Sequence, residues 1–401
     1  VDYEYIKKNA SDFGKCGEHL YWYYLNEVLC IEGDGEMTEF PWHELYAGQI
    51  KYVYIGNGCV NIKRGAFHDC PCLKTVDIPE SVKIIDAFAF RRCKNLQTVT
   101  LAEGLAEIKQ YAFDQCESLS EIWFPKSLWR VGAYAFRRCE SLQIIKLPPV
   151  ISEKDHVFEK CDSVRTVWIP ANGCIYEAEV LKAFPNVEAY RVEEGNEGLV
   201  SQDGVLYDSA KKSLIAYPCQ KQGPCQIAGE TISIGRGAFA LCKGFRAVTL
   251  PDGIREVQAG AFYACQALDT VRLPNSVQRI GAAAFQLCTA LDTVILPNGI
   301  TKIEDLAFAY CRSLTSVELS ETVTSIGKHA FYACRGLLSL EIPKRVMEIG
   351  EWAFHSCDSI SSINIPSSVK TIGEAAFRSV PHIVYHGPAQ SDDNWGAKSR
   401  N

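Results

Sequence analysis

Phenylalanine keeps time in this chain. Phe67, Phe90, Phe113 and Phe136 lie 23 residues apart and Phe158 follows after 22; the beat then breaks, resumes at Phe239 and runs through Phe262, Phe285, Phe308, Phe331, Phe354 and Phe377 without a slip. A fixed period between about 20 and 50 residues is the signature of a stacked repeat rather than of a globule, because a unit this short cannot bury its own apolar side chains and must lean on its neighbours. The fullest coil reads Leu268-Asp269-Thr270-Val271-Arg272-Leu273-Pro274-Asn275-Ser276-Val277, then Ile280-Gly281, then Ala284-Phe285 and Cys288. The alternating apolar residues suit a short strand, Pro274 ends it, and a second extended or turn segment closes the coil. Strands of successive coils should pair in parallel about 4.8 Å apart, giving a mainly β solenoid.

The same beat governs the cysteines. Eleven of the 18 hold one coil position: Cys70, Cys93, Cys116, Cys139, Cys161, Cys242, Cys265, Cys288, Cys311, Cys334 and Cys357. Catalysis needs one activated thiolate beside a base, not the same residue in every coil. Zinc needs ligands that converge on a point, and these lie along a line. In-register stacking would hold neighbouring Cβ atoms near 4.8 Å, beyond the roughly 3.8 Å a relaxed bridge prefers, so reduced core thiols are expected. The phenylalanines should stack behind them, ring centroids about 4.5–7 Å apart. Off the ladder are Cys16, Cys30, Cys59, Cys72, Cys174, Cys219 and Cys225. Cys16 and Cys30 bracket a hairpin and Cys219 and Cys225 flank a short loop; both pairings stay open, since connectivity cannot be read from spacing.

The word P-x-S-V-x-x-I-G-x-x-A-F-x-x-C resembles the repeat of the BspA-like leucine-rich-repeat proteins, and most of residues 50 to 380 follow it. The flanks resemble that family too, which implies a β-rich N-terminal cap over 1–48, repeats over 49–171, an irregular insertion over 172–226, repeats over 227–379 and a closing cap over 380–401. In the insertion, Val205–Tyr207 and Leu214–Tyr217 read as a hairpin across residues 208–213, expected as a local projection from one continuous solenoid. Departures are local: Val157 stands where the motif has Ala, and Val380 where it has Cys.

Chemistry-bearing motifs do not appear. There is no H-E-x-x-H, no phosphate-binding glycine loop and no G-x-S-x-G, and His68, His156, His329 and His355 fall on variable positions that read as surface. Neither catalytic residues nor a metal or cofactor site is expected. The net charge of -7 gives no electrostatic reason to expect nucleic acid, and no apolar run is long enough to cross a bilayer. The chain opens at Val1 without a signal segment, so a targeting sequence is taken to have been removed.

Function is therefore sought on faces, where solvent-directed positions align from coil to coil. Between the buried positions of the main strand Thr and Ser dominate, and Trp123 and Trp168 stand out, with Ile144 and Lys146 on the coil between them. Either the insertion folds over these aromatics or they meet a ligand. A second row, just after each Phe, holds Arg91, Arg92, Arg137 and Arg138 in the N-terminal half and Tyr263, Tyr310 and Tyr332 in the C-terminal half. Solvated decoration is its simplest reading, although interfaces over-use both residue types. A non-enzymatic, monomeric recognition protein is expected, and the resemblance implies a bacterial one of the cell surface or secreted medium that adheres to host matrix proteins or to other cells. Two rivals remain: a carbohydrate-binding protein that stacks sugars on Trp123 and Trp168, and a passive spacer.

Overall fold

The structure is a computed structural model, which describes residues 3–148, 151, 155–173, 178–389, 395, 399 and 400. The chain separates into two compact units, Val1–Gly198 and Leu199–Asn401. Each is a solenoid of stacked coils, and each coil has three sides.

The first side is the main strand. Thr270 and Arg272 face solvent while Val271 points inward, and the same pattern recurs in Thr293–Ile295 and Ser316–Glu318. These strands pair in parallel and in register, Thr293 with Ser316 and Ile295 with Glu318. The second side is a two-residue strand that ends on a buried Ile or Val, as in Ile62, Ile85, Ile108 and Val131, again parallel. Where a glycine follows, as Gly281 follows Ile280, it lets coils approach: a Cβ there would lie 2.5 Å from the backbone nitrogen of Ala259 in the coil before.

The third side carries the Phe–Cys turn, and its conformation was not visible in the pattern. The residues two before and two after each Phe adopt left-handed backbone, for example Tyr111 at φ 58° and Gln115 at φ 62° around Phe113. Non-glycine residues hold this region only at a cost of about 1–2 kcal/mol each. Coil-to-coil hydrogen bonds offset it: Phe90 N–H donates to Ala112 at 2.8 Å and Arg92 N–H to Asp114 at 2.8 Å, and Phe285 and Leu287 repeat both bonds toward Ala307 and Ala309.

Behind this turn the rings stack as expected. Phe67, Phe90, Phe113 and Phe136 follow at 5.1 Å between centroids, nearly parallel, and the second unit runs from Phe239 to Phe377 at 4.8–5.4 Å. The stacks are longer than the phenylalanine beat. Trp42 extends the first unit at one end, 5.6 Å from Phe67, and Phe184 at the other, 5.5 Å from Phe158, while Tyr217 opens the second stack 4.7 Å from Phe239.

The ladder cysteines are buried, and most do more than fill space. Cys93 Sγ–H donates to the carbonyl of Phe67 at 3.0 Å, and Cys288 and Cys357 do the same to Phe262 at 3.1 Å and Phe331 at 3.2 Å. That carbonyl already accepts the N–H of the cysteine in its own coil, as Phe67 does from Cys70. A thiol is apolar enough for the core and still supplies the second donor of a buried carbonyl. Burial pushes the Cys70 and Cys357 thiols up to about 12, so they stay protonated.

One cysteine expectation, Cys242 as a reduced core thiol, is corrected, and neither pairing left open is formed. Cys219 is bonded not to Cys225 but to Cys242, with Cα atoms 4.5 Å apart, so Cys242 is not a free core thiol. Cys219 lies 23 residues before Cys242 and thus occupies the ladder position of an irregular coil. In that coil Tyr217 takes the ring position one residue late, which alters the spacing on which in-register stacking depends. Cys16 and Cys30 are both free and buried. Cys30 lies opposite Tyr23, whereas Cys16 bonds at Leu20. Three residues along a strand is about 10 Å, beyond a bridge's reach of about 7 Å. Cys174 lies outside the described residues.

The first unit begins with the helix Tyr3–Asn9 and three antiparallel strands, Asp12–Lys15, His19–Leu25 and Val28–Asp34, the last of which continues in parallel onto Tyr52–Ile55. The hairpin forms between Val205–Asp208 and Ser213–Ala216, with a bulge at Leu206/Tyr207, and Leu199–Gln202 joins it antiparallel. It does not project from the second unit but forms part of its stack. Ser213 and Leu214 pair in parallel with Ser233 and Ile234, so the hairpin terminates the second-side sheet of the second unit. Residues 189–192 instead extend the main sheet of the first unit.

Candidate recognition site

The main sheet of the first unit ends in four parallel strands, Glu121–Ile122, Ile144–Lys146, Thr166–Ile169 and Ala189–Val192. Their register sets Lys146 beside Trp168 and Trp168 beside Arg191. Trp123 follows the Ile122–Ile145 pair and so stands level with Lys146 on the other flank. Alternation sends all four to the solvent face.

Trp123 is 44% exposed and Ile144 36%, while Trp168 is half-buried. Two strands apart, the indoles would be about 9.6 Å apart if they stood upright. Their centroids are 6.4 Å apart at an interplanar angle of 50°, so the rings lean together over the Lys146 strand. Beneath them the Lys146 side chain is only 14% exposed, and Nζ lies 2.7 Å from Glu193 Oε1. Glu193 Oε2 accepts the N–H of Ala171 at 3.0 Å. Burial alone would raise the Glu193 carboxyl, but the bonds from Lys146 and Ala171 outweigh it and hold the group below its ordinary value. The insertion thus neutralises the lysine and widens the face without covering the tryptophans. The result is an aromatic and aliphatic patch rimmed by Glu121 and Arg191.

The arginine row divides in two. Asp114, 0% exposed, sits between Arg91 and Arg137: Arg91 Nε donates to Oδ2 at 3.1 Å, and Arg137 donates through Nε at 2.8 Å and Nη2 at 3.2 Å. Gln115 adds a fourth bond at 3.1 Å. The guanidinium of Arg91 also lies 5.6 Å from the Phe88 ring, and that of Arg137 5.4 Å from Tyr111, within a column Phe88–Tyr111–Tyr134–His156 stacked at 5.1–5.7 Å. Two arginines are therefore fixed by the fold, while Arg92 and Arg138 remain on the exposed edge, Arg92 3.5 Å from Asp69.

In the second unit Tyr263, Tyr310 and Tyr332 are half-buried. Tyr332 packs against Tyr310 at 5.2 Å and stacks on His355 at 5.1 Å, and Trp352 lies 4.6 Å from His355. His329 and His355 are accordingly not plain surface residues, nor is His68; all three are half-buried. Burial first, and then Arg378, holds His355 below its ordinary value. Trp352 was missed because it occupies the left-handed position two before Phe354, which carries no constant residue in the repeat.

The pattern of the BspA type leucine rich repeat region (6 copies) matches residues 60–182, 216–319 and 301–385, well over half of the sequence. The chain belongs to the BspA-type leucine-rich-repeat family. A leucine-rich repeat protein from Eubacterium ventriosum is similar in fold, with 23% identity, 96% of this chain and 98% of that one covered, and a TM-score of 0.60. A leucine rich cell surface protein from Faecalibacterium prausnitzii shows 24% identity over 86% of this chain and 95% of its own, with a TM-score of 0.50. The pneumococcal vaccine antigen PcpA shows 18% identity over 91% and 99%, also at 0.50. A search of curated proteins finds no match.

For a BspA-type chain the repeat positions are thus spent on the core, and individuality rests with the rest. Among the described residues no cluster of three or more His, Cys, Asp or Glu is arranged to hold a metal ion, and no helix is long and apolar enough to cross a membrane.

Proposed function

We propose that this protein is a non-enzymatic recognition protein of the bacterial surface or secreted medium, and that it adheres to a protein ligand, of host matrix or another cell, through the Trp123–Ile144–Lys146–Trp168 face. The observation that carries the reading is the pair of indoles leaning together at 6.4 Å on an otherwise Ser/Thr-rich sheet. Large rigid aromatics with an adjacent aliphatic residue and a rim arginine are what protein interfaces use as anchors. The family, and the cell-surface description of the Faecalibacterium relative, support the location.

Carbohydrate binding is the second reading, because tryptophans also stack on sugars. A panel of immobilised matrix proteins, run beside a glycan array with wild type and Trp123→Ala/Trp168→Ala, tests both. Binding to a matrix protein that the double variant loses is expected; a glycan signal lost in the same variant would favour the second reading. Binding retained by the double variant would remove the face from the account.

A further inference from the structure

In the second unit the main sheet begins at Ala247–Thr249, which pairs with Thr270–Arg272 on one side and, among the described residues, with no strand on the other. The bonds it makes fix the direction of those it does not. Thr270 N–H donates to Arg246 O at 3.1 Å and Leu250 N–H donates to Arg272 O at 3.1 Å, so residues 246, 248 and 250 turn their backbone groups toward the following coil. In a parallel strand the intervening residues turn theirs the opposite way. The N–H and C=O of Ala247 and Thr249 therefore face the open side, where none has a backbone partner among the described residues, and both residues are exposed.

The coil before is present but stands away. By the period, Cys225, Gln226 and Ile227 are the counterparts of Val248, Thr249 and Leu250, yet no ladder bond joins the two segments. Ala228 N–H is drawn to the phenol of Tyr207 at 3.0 Å, which ties this segment to the hairpin. Phe245 stands where the next coil has Leu268 and packs edge-on against Phe239 at 5.6 Å. Between residues 249–251 and 225–229, with Tyr207 on its wall, lies a cavity of about 420 Å³. That is within the ~300–1,000 Å³ typical of ligand sites.

We propose that this open step captures an extended polypeptide segment of a partner protein, which adds as a parallel strand to Ala247–Thr249 and runs its trailing end into the cavity. Strand addition uses main-chain bonds for affinity and flanking side chains for choice. Lys243 and Arg246 are exposed at the leading end and Asp252 at the trailing end, so the segment should lead with an acidic residue and end uncharged or basic. The site is separate from the tryptophan face, and its test does not depend on that reading.

The probe is a synthetic peptide copying residues 290–298, ALDTVILPN, whose parent segment stacks on the following coil in the same register and leads with Asp292. Amide hydrogen exchange, read residue by residue, should show Ala247 and Thr249 fast and Val248 slow in the free protein. Millimolar peptide should slow the first two by about tenfold or more. Thr249→Pro removes an outward N–H without touching the ladder and should abolish the peptide's effect on Ala247. A peptide N-methylated at Val294 and Leu296, whose N–H groups would face the strand, should also fail, and this arm needs no protein variant. Protection of Ala247 and Thr249 in the free protein, whether from the chain itself or from a second copy, would overturn the proposal. So would equal protection by the methylated peptide, or none by the parent.

Discussion

The two units share a core and differ in what they do with the remainder. In both, rings stack near 5 Å and thiols bond to the preceding coil. From Phe239 to Phe377 the second unit keeps a strict 23-residue beat, and its main sheet there presents Thr270, Thr293, Ser316, Ser339 and Ser362, with Ile295, 65% exposed, as an isolated apolar residue. The first unit loses the beat after Phe136, with steps of 22 to Phe158 and 26 to Phe184. There it carries the tryptophan pair, the Lys146–Glu193 bridge and, a little earlier, the Asp114 clamp. The difference teaches that stacking tolerates slips of a few residues, and that distinctive surface chemistry gathers beside them.

Phe113→Ala in the first unit and Phe285→Ala in the second should each lower unfolding stability by about 3–5 kcal/mol in urea titrations. A much smaller loss at one of them would end the claim of a common core. Asp114→Ala should cost about 2–3 kcal/mol by leaving two part-buried guanidinium groups without their acceptor, with no counterpart in the second unit. Gly281→Ala, which drives a Cβ against the backbone of the coil before, should cost about 1–3 kcal/mol, whereas Thr270→Ala on the exposed face should cost under about 0.5. Equal losses at Gly281 and Thr270 would contradict the coil geometry.

The smallest effect is a pH dependence. His68 and His355 are each held below their ordinary value, burial being the first cause in both. Their neutral forms favour the fold, so their contribution is complete above about pH 6.5 and is lost as pH falls through the lower folded value. Around His355, Arg378 and His329 deepen the effect and Asp358 opposes it. Urea midpoints should therefore fall between pH 7.5 and 5.5, and His355→Gln should flatten but not abolish the fall, since His68 remains. An unchanged slope in the variant would remove His355 from the account.

The stack was legible in the sequence because a period repeated in many coils averages out local noise: strand, Ile-Gly approach, Phe stack and Cys ladder all follow from it. What it hid lies where a residue changes while its position persists. Trp42, Phe184 and Tyr217 continue the ring stacks without being phenylalanines on the beat, and Cys219 is a ladder residue in a coil whose ring arrives one position late. The left-handed turn was invisible because Phe88, Tyr111, Ala283 and Trp352 share a backbone conformation and no side-chain type. At the candidate site the tryptophans could be singled out by composition alone. Their tilt, and the neutralisation of Lys146 by Glu193, depend on a contact 47 residues away that no spacing rule encodes.

The central claim is that recognition belongs to the irregular end of the first unit's sheet. Its most direct test is a hydrogen-exchange footprint of whichever matrix protein the panel returns, mapped on the full chain. The account predicts protection concentrated in residues 121–124, 144–146, 166–169 and 189–193. Protection confined to the coils after Phe262 would contradict it.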